Sequence, residues 1–413
     1  MKHVILGAGP AGICAAEQLR RIDRTARIVV VGGESEPPYS RMAIPYLLAD
    51  NIDETGTYLR KDPAHFENLD IRILNDRAQS VSRFDLRLKS GRVMPFDRLL
   101  IATGSRPMKP PIDGLERDCV FHCWTLEDAR GIAGTVEAGS DVVLMGAGFI
   151  GCIILEALVQ LGVNLTVIEM EDRMVPSMMD ATAGNMIKRW CKARGVRILT
   201  GTRVVSVEDG EDGDRVDVVT SAGEAIAADA IVVATGVRAN TDFLKGSEVA
   251  IDQGVVVDQQ LQTSVYGIFA AGDVAQGPDF STGGTSVHAI QTTASQHGRI
   301  AALNMAGKNT FYHGSLVMNT LDTLGLISTS YGNWQGVEGG DSAQAVDRDN
   351  YRYMSLQFED DVMVGAIAIG ITNHIGALRG LIESRHRLGA WKQKLVNDPH
   401  RVMEAYVALM QAK

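Results

Sequence analysis

The feature that most narrows the folds open to this chain is a glycine pattern that occurs twice. Val4-Ile5-Leu6 runs into Gly7-Ala8-Gly9-Pro10-Ala11-Gly12, and an alanine-rich stretch from Ile13 to Leu19 follows. Val142-Val143-Leu144-Met145 runs into Gly146-Ala147-Gly148-Phe149-Ile150-Gly151, again followed by Ile, Leu and Ala. Each unit reads as strand, tight turn and helix. The first glycine permits the turn, the second lets the backbone approach a pyrophosphate, and the third lets helix and strand pack closely. The helix N-terminus then offers unpaired N–H groups and a positive dipole end to the phosphates.

An acid at the end of the next strand completes such a cradle by accepting from a ribose hydroxyl. After Ile28-Val29-Val30-Val31 come Gly32, Gly33 and then Glu34, which is taken as the first acid. The strand Leu165-Thr166-Val167-Ile168 ends at Glu169, eighteen residues past Gly151 and close to the expected offset of roughly 20. A carboxylate there repels the extra phosphate of NADP, so NADH is expected over NADPH, with Arg173 near enough to soften the preference. The plainer alternative is that Glu169 caps a strand end. Two complete fingerprints imply two dinucleotides, most economically a flavin and a nicotinamide.

The 413 residues call for two or three domains. A net charge of -10 argues against nucleic acid as a partner, since phosphate binding relies on clustered Lys and Arg. No stretch approaches the roughly 18–20 apolar residues that span a bilayer. Met1-Lys2-His3 leads directly into a strand rather than a signal peptide, so a cytoplasmic location is expected. The cysteines, Cys14, Cys119, Cys123, Cys152 and Cys191, include no C-x-x-C pair. They read as ordinary small buried residues, and no metal site is expected. Redox chemistry then falls to a bound organic cofactor.

Further segments carry a family resemblance. Leu99-Leu100-Ile101-Ala102-Thr103-Gly104 and Ile231-Val232-Val233-Ala234-Thr235-Gly236 look like paired A-T-G exits from nucleotide domains, and Ile268-Phe269-Ala270-Ala271-Gly272-Asp273-Val274-Ala275 looks like a second FAD motif. With the two fingerprints, the chain from residue 4 to about 307 resembles the FAD/NAD-linked reductases. These include rubredoxin and ferredoxin reductases, the flavin part of nitrite reductases, NADH oxidases and CoA-disulfide reductases. The resemblance implies an α/β fold with two nested Rossmann-like domains of the glutathione-reductase type and a C-terminal α+β domain. It implies an FAD domain over 1–115 and 245–312, an NAD domain over 116–244, and an interface domain over 313–413. FAD would meet Gly7, Gly9, Pro10, Ala11, Gly12, Glu34, Arg41, Ala78, Ala102, Thr103, Gly104, Gly272, Asp273, His288 and Ala289. NADH would meet Gly146, Gly148, Phe149, Ile150, Gly151, Glu169, Ala234, Thr235 and Gly236.

The stretch His288 to Arg299 resembles the helix whose N-terminus points at the isoalloxazine ring. His288 and His297 on it are acid–base candidates, although a structural role is the commoner one. Val362 to Ile369 alternates like a strand, and Trp391 to Met410 has helical apolar spacing suited to core or dimer contact.

Departures from the family narrow the chemistry. In CoA-disulfide reductases and NADH peroxidases, the stretch matching Tyr39-Ser40-Arg41-Met42-Ala43-Ile44-Pro45-Tyr46 carries a reactive cysteine. Here that position is Met42, and a thioether forms neither thiolate nor sulfenic acid. Arg41 matches the Tyr-x-Arg of the ferredoxin- and nitrite-reductase branch, where it helps hold the FAD phosphates. A lysine and glutamate paired in that branch are replaced by Tyr46 and Ile153. The resemblance implies hydride transfer from NADH C4 to flavin N5, then electrons to an external acceptor. A small carrier such as ferredoxin or rubredoxin is one reading, docking on Arg379, Arg385, His386, Arg387, Lys392 and Lys394. Direct reduction of oxygen, a quinone or another small molecule is a second, and a flavin subunit or redox-signalling flavoprotein of a larger complex is a third.

Overall fold

The computed structural model describes residues 1–210 and 215–411. It divides into two compact units, one of Met1–Met108 with Val237–Ser315, the other of Lys109–Gly236 with Leu316–Lys413.

The first unit is built on a parallel sheet in the order Ile268–Ala270, Arg98–Ile101, Lys2–Leu6, Arg27–Gly32 and Ile71–Asn75. Its inner strands are apolar on both faces because helices and a smaller sheet cover them: Val4, Ile5, Val30, Leu99 and Leu100 are fully buried. The helices Pro10–Ile22 and Gln291–Met305 cross at Gly298, where a Cβ would stand 2.1 Å from the Ala11 carbonyl oxygen. The antiparallel sheet Ala78–Val81, Asp85–Leu88 and Val93–Pro95 lies in the same unit. Ser105–Pro107 pairs with Val237–Ala239, where the chain leaves this unit and returns.

The second unit repeats the plan. Its parallel sheet runs Arg197–Thr200, Asn164–Glu169, Asp141–Met145, Ala230–Val233 and Val120–Phe121. To the same unit belongs a five-stranded antiparallel sheet in the order Met318–Thr323, Leu326–Gly332, Val362–Ile369, Arg352–Glu359 and Asp341–Asp347. Helices Ile375–Ser384, Ala390–Asn397 and Val402–Gln411 pack through Leu378, Leu381, Leu395 and Val402 into a core with this sheet. The strand expected at Val362–Ile369 forms as read. The helical spacing from Trp391 to Met410 does not give one helix, because Pro399 lacks the N–H a helix interior needs and splits it in two. Helix Ala181–Lys192 is braced to the antiparallel sheet. The indole N–H of Trp190 donates to the carbonyls of Thr323 and Leu324, and the Tyr353 hydroxyl donates to Asp180, the N-cap of that helix, at 2.5 Å.

Candidate functional site

In both units the glycines sit at the carboxyl end of the central strand, where open α/β sheets place their ligands. Gly7 has φ +111, and a Cβ on it would fall 1.9 Å from the Ala102 oxygen; one on Gly12 would fall 1.9 Å from the Gly7 oxygen. Gly9 differs, since a Cβ there meets nothing within 4 Å. Two glycines are thus forced by protein backbone, while the middle one borders open space that a phosphate can approach. The second cradle has the same division. Cβ atoms on Gly146 and Gly151 would fall 2.5 Å from Ala234 O and 2.2 Å from Gly146 O, and Gly148 is open. Pro10 supplies the first helical residue in one and Phe149 in the other, so each helix N-terminus begins at its open glycine. Ala11 borders Gly272 in the first, and Ile150 continues the first turn in the second. A dinucleotide fits both by this test.

Around the first cradle the structure gathers Glu34, Arg41, Ala102, Thr103, Gly104, Gly272 and Asp273. Thr103 and Asn240 exchange side-chain-to-backbone hydrogen bonds at 2.9 Å each, fixing the A-T-G exit. Gly272 and Asp273 lie in a 3₁₀ turn after the strand Ile268–Ala270. Burial pushes the Asp273 carboxyl up, offset in part by the Ser105 hydroxyl donating at 3.0 Å and by the Arg41 charge. The Glu34 carboxylate accepts from the Tyr39 hydroxyl and from Arg41, both at 2.5 Å. The expected phosphate ligand Arg41 thus leans on the expected ribose ligand. Ala78 lies in the small antiparallel sheet opposite Leu88.

His288 and Ala289 correct the expectation. The helix begins at Gln291, because Thr285–Val287 pairs in a β-hairpin that ends just before His288. His288 is buried beside Ser286, 2.9 Å from its hydroxyl, and Ser286 in turn donates to Asp279. His297 is on the helix; its Nδ1 accepts from the Gly272 N–H at 3.4 Å, and burial pushes its pKa down to about 4. Both imidazoles are neutral near pH 7, and His297 serves the Gly272 turn.

In the second cradle, Glu169 is 6% exposed and accepts the N–H of Ala147 at 2.7 Å and that of Glu171 at 2.9 Å. Ala234 donates its N–H to Met145 O at 2.7 Å, and Gly236 has φ +115, so Ala234-Thr235-Gly236 turns away from the sheet beside the glycine loop. Arg173 donates to Met179 O, Pro176 O and Asp172, which ties its guanidinium to its own loop.

Sequence reading missed a set of residues that position the first cradle. Glu17, buried on the first helix, accepts from Arg60 at 2.6 and 2.7 Å and meets His65 at 2.9 Å. Leu59 N–H bonds Pro38 O and Ser40 N–H bonds Thr57 O, so this anchor fixes the Tyr39–Arg41 segment. Ser40 also donates to Gln291, the first residue of the helix, at 2.5 Å. A carboxylate within the apolar face of a helix was the available signal. Three of the five thiols are poor nucleophiles: burial pushes Cys123 and Cys191 up to about 12 and Cys152 well above its usual range.

Comparison with known proteins agrees with this geometry. The family described as pyridine nucleotide-disulphide oxidoreductase matches residues 1–303, and the rubredoxin NAD+ reductase C-terminal domain matches residues 318–386. The chain belongs to this family. It is an FAD- and NADH-dependent oxidoreductase of the ferredoxin- and rubredoxin-reductase kind. The NADH-dependent phenylglyoxylate dehydrogenase subunit epsilon of Aromatoleum evansii is 30% identical over 96% of this chain and 95% of its own length. The 3-phenylpropionate/cinnamic acid dioxygenase ferredoxin–NAD(+) reductase component of Photorhabdus laumondii is 27% identical over 92% and 95%. Among solved structures, an NAD-dependent persulfide reductase from A. fulgidus superposes with a TM-score of 0.87 at 28% identity, over 94% of this chain and 78% of that one. Among the described residues no helix is long and apolar enough to cross a membrane.

Proposed function

We propose that the chain oxidises NADH and delivers the electrons to a separate redox protein of the ferredoxin or rubredoxin kind. The observation that carries this reading is the pair of open-glycine cradles in one chain, with Met42 rather than a thiol in the stretch beside the first. Gly7, Gly9, Gly12, Glu34, Arg41 and Asp273 are the residues we assign to FAD. Gly146, Gly148, Gly151 and Glu169 are those we assign to NADH. Bound FAD supplies hydride acceptance and onward electron delivery. The protein's own contribution is placement, through the glycine loops, the Ser40–Gln291 bond and the neutral His297 behind Gly272. The five free cysteines suit a reducing compartment, so we place the reaction in the cytoplasm.

The docking face for the carrier is narrower than the basic run suggested, because Arg379 pairs with Glu383 and Lys392 with Asp341. The test is anaerobic titration with NADH while following flavin absorbance at about 450 nm, then addition of oxidised ferredoxin or rubredoxin. Bleaching by NADH followed by rapid recovery with a carrier supports the proposal. Bleaching without recovery by any carrier sinks the free-carrier part. A second reading, a flavin subunit of a larger dehydrogenase, is favoured by the end-to-end match to subunit epsilon. It requires turnover with artificial dyes, none with free carriers, and co-purification with the other subunits of the complex.

A further inference from the structure

We propose that a concavity ringed by Lys2, Arg27, Arg72 and Arg92 binds a compact polyanion of the phosphate class, apart from the glycine cradle of the same unit. The hollow has a volume of about 260 Å³, with Val29, Leu74, Val93 and Met94 completing its wall. Strand register puts the first three cations on one sheet face: Lys2 lies opposite Arg27, and Val29, two residues along the same strand, lies opposite Arg72. Arg92 closes the ring from the turn before the strand Val93–Pro95. Lys2 opens the strand that Gly7 follows, so at about 3.3 Å per residue the two are about 17 Å apart. The hollow therefore belongs to the amino-terminal end of the sheet, and the dinucleotide cradle to the other.

Four like charges repel, and such a ring is costly without a counter-charge. Among the described residues none of these four side chains makes a hydrogen bond or an ion pair. The nearby carboxylates are engaged elsewhere. Asp97 accepts the backbone N–H of Lys2 at 2.6 Å, and Asp76 accepts the Ser90 hydroxyl and the backbone N–H of Arg77. Each still acts at a distance, Asp97 on Lys2 and Arg92 on Asp76. Burial, then the Arg27 charge, pushes the Lys2 ammonium below its ordinary range, a pressure that an anion would relieve. In a chain of net charge -10, this concentration of cations is local and not a property of the whole surface. Guanidinium forks match phosphate oxygens in pairs, which favours phosphate over a lone carboxylate. The volume lies below the roughly 300–1,000 Å³ of sites that enclose a whole small molecule, which favours a short phosphate chain over an entire nucleotide.

The test is calorimetric titration of the full chain with tripolyphosphate, with FAD bound and NAD+ saturating so that both cradles are filled. One equivalent should bind, more weakly as salt rises. Arg72→Gln/Arg92→Gln changes two exposed side chains and should weaken binding at least roughly tenfold. Its flavin spectrum and NADH bleaching rate should remain those of the parent. ATP binding no tighter than tripolyphosphate, and lost in the same variant, assigns the site to the phosphate chain. Absence of binding at low salt, or an affinity for either ligand unmoved by the double substitution, overturns the proposal.

Discussion

Replacing Glu169 by Gln separates two things its carboxylate does. One oxygen accepts from Ala147, whose residue is 1% exposed, and the other from Glu171, an exposed residue. A Gln can serve one N–H with its oxygen but turns its NH2 toward the other. If Ala147 keeps the oxygen, the Glu171 N–H finds water and the cost is the lost charge assistance, about 1–2 kcal/mol. If Ala147 loses it, a buried donor is orphaned and the cost approaches 3 kcal/mol. Stability should therefore fall by about 1–3 kcal/mol, read from urea unfolding of parent and variant with cofactors at equal saturation. The second effect is electrostatic. A carboxylate and a ribose phosphate about 5 Å apart, at an effective dielectric of about 20, repel by on the order of 3 kcal/mol per unit charge. Removing the charge should narrow the preference for NADH over NADPH by roughly a hundredfold in kcat/KM, followed as flavin bleaching. If stability falls while the preference stays, Glu169 is only a loop cap and the specificity argument is wrong. If neither moves, the described bonds do not hold the loop.

Other perturbations test neighbouring parts of the argument. Gly12→Ala drives a Cβ to 1.9 Å from a backbone oxygen that has no side-chain freedom to yield; the protein should purify with little or no flavin, measured as the flavin-to-protein absorbance ratio. His297 has its folded pKa depressed to about 4, below the ordinary 6.5, so its contribution to stability is full above about pH 6.5 and lost as pH falls toward 4. His297→Gln should flatten acid denaturation across that window by on the order of 3 kcal/mol, with His3, also pushed down to about 4, still contributing in both proteins. The pH profile of flavin bleaching should not change, and a shifted profile would restore an acid–base role. Met42→Leu should leave NADH-driven carrier reduction within about twofold, because a side chain 43% exposed adds little packing and the reaction uses no protein sulfur.

Much of the nucleotide-binding frame was legible because its causes are local. A glycine that must adopt φ +111 before a helix, and an apolar strand buried on both faces, both leave their mark within a dozen residues. Glu169 at the strand end was readable for the same reason. The start of the later helix was not: the hairpin from Ala275 to Val287 consumes residues with no strong strand signal, so His288 was assigned a turn too early on a helix. The bonds of Arg173 to backbone carbonyls of its own loop were likewise not legible, because composition does not mark them. The Glu17–Arg60–His65 anchor spans more than forty residues of sequence and depends on where two segments fold together. The Tyr353–Asp180 brace is longer still, and no periodicity in either segment points to the other.

The two cradles share a glycine loop yet use their acids differently, and the difference bears on which ligand stays. Glu34 is about one-third exposed in its side chain and neutralised by Arg41, itself supported by the Tyr39 hydroxyl at 3.1 Å. A compensated acid presents little net charge, so a dinucleotide with two phosphates meets no strong repulsion there. Among the described residues Glu169 has no cation within its hydrogen-bonding shell, only the backbone N–H groups of Ala147 in the glycine loop and of Glu171. Those dipoles hold the carboxylate in place but leave its charge uncancelled. On the proposed assignment of FAD to the first cradle and NADH to the second, the first arrangement suits a group held through many turnovers and the second one that is discriminated and released at each. Duplicating a fold therefore did not duplicate its electrostatics, and on that assignment the surroundings of a single acid distinguish the resident nucleotide from the exchanging one.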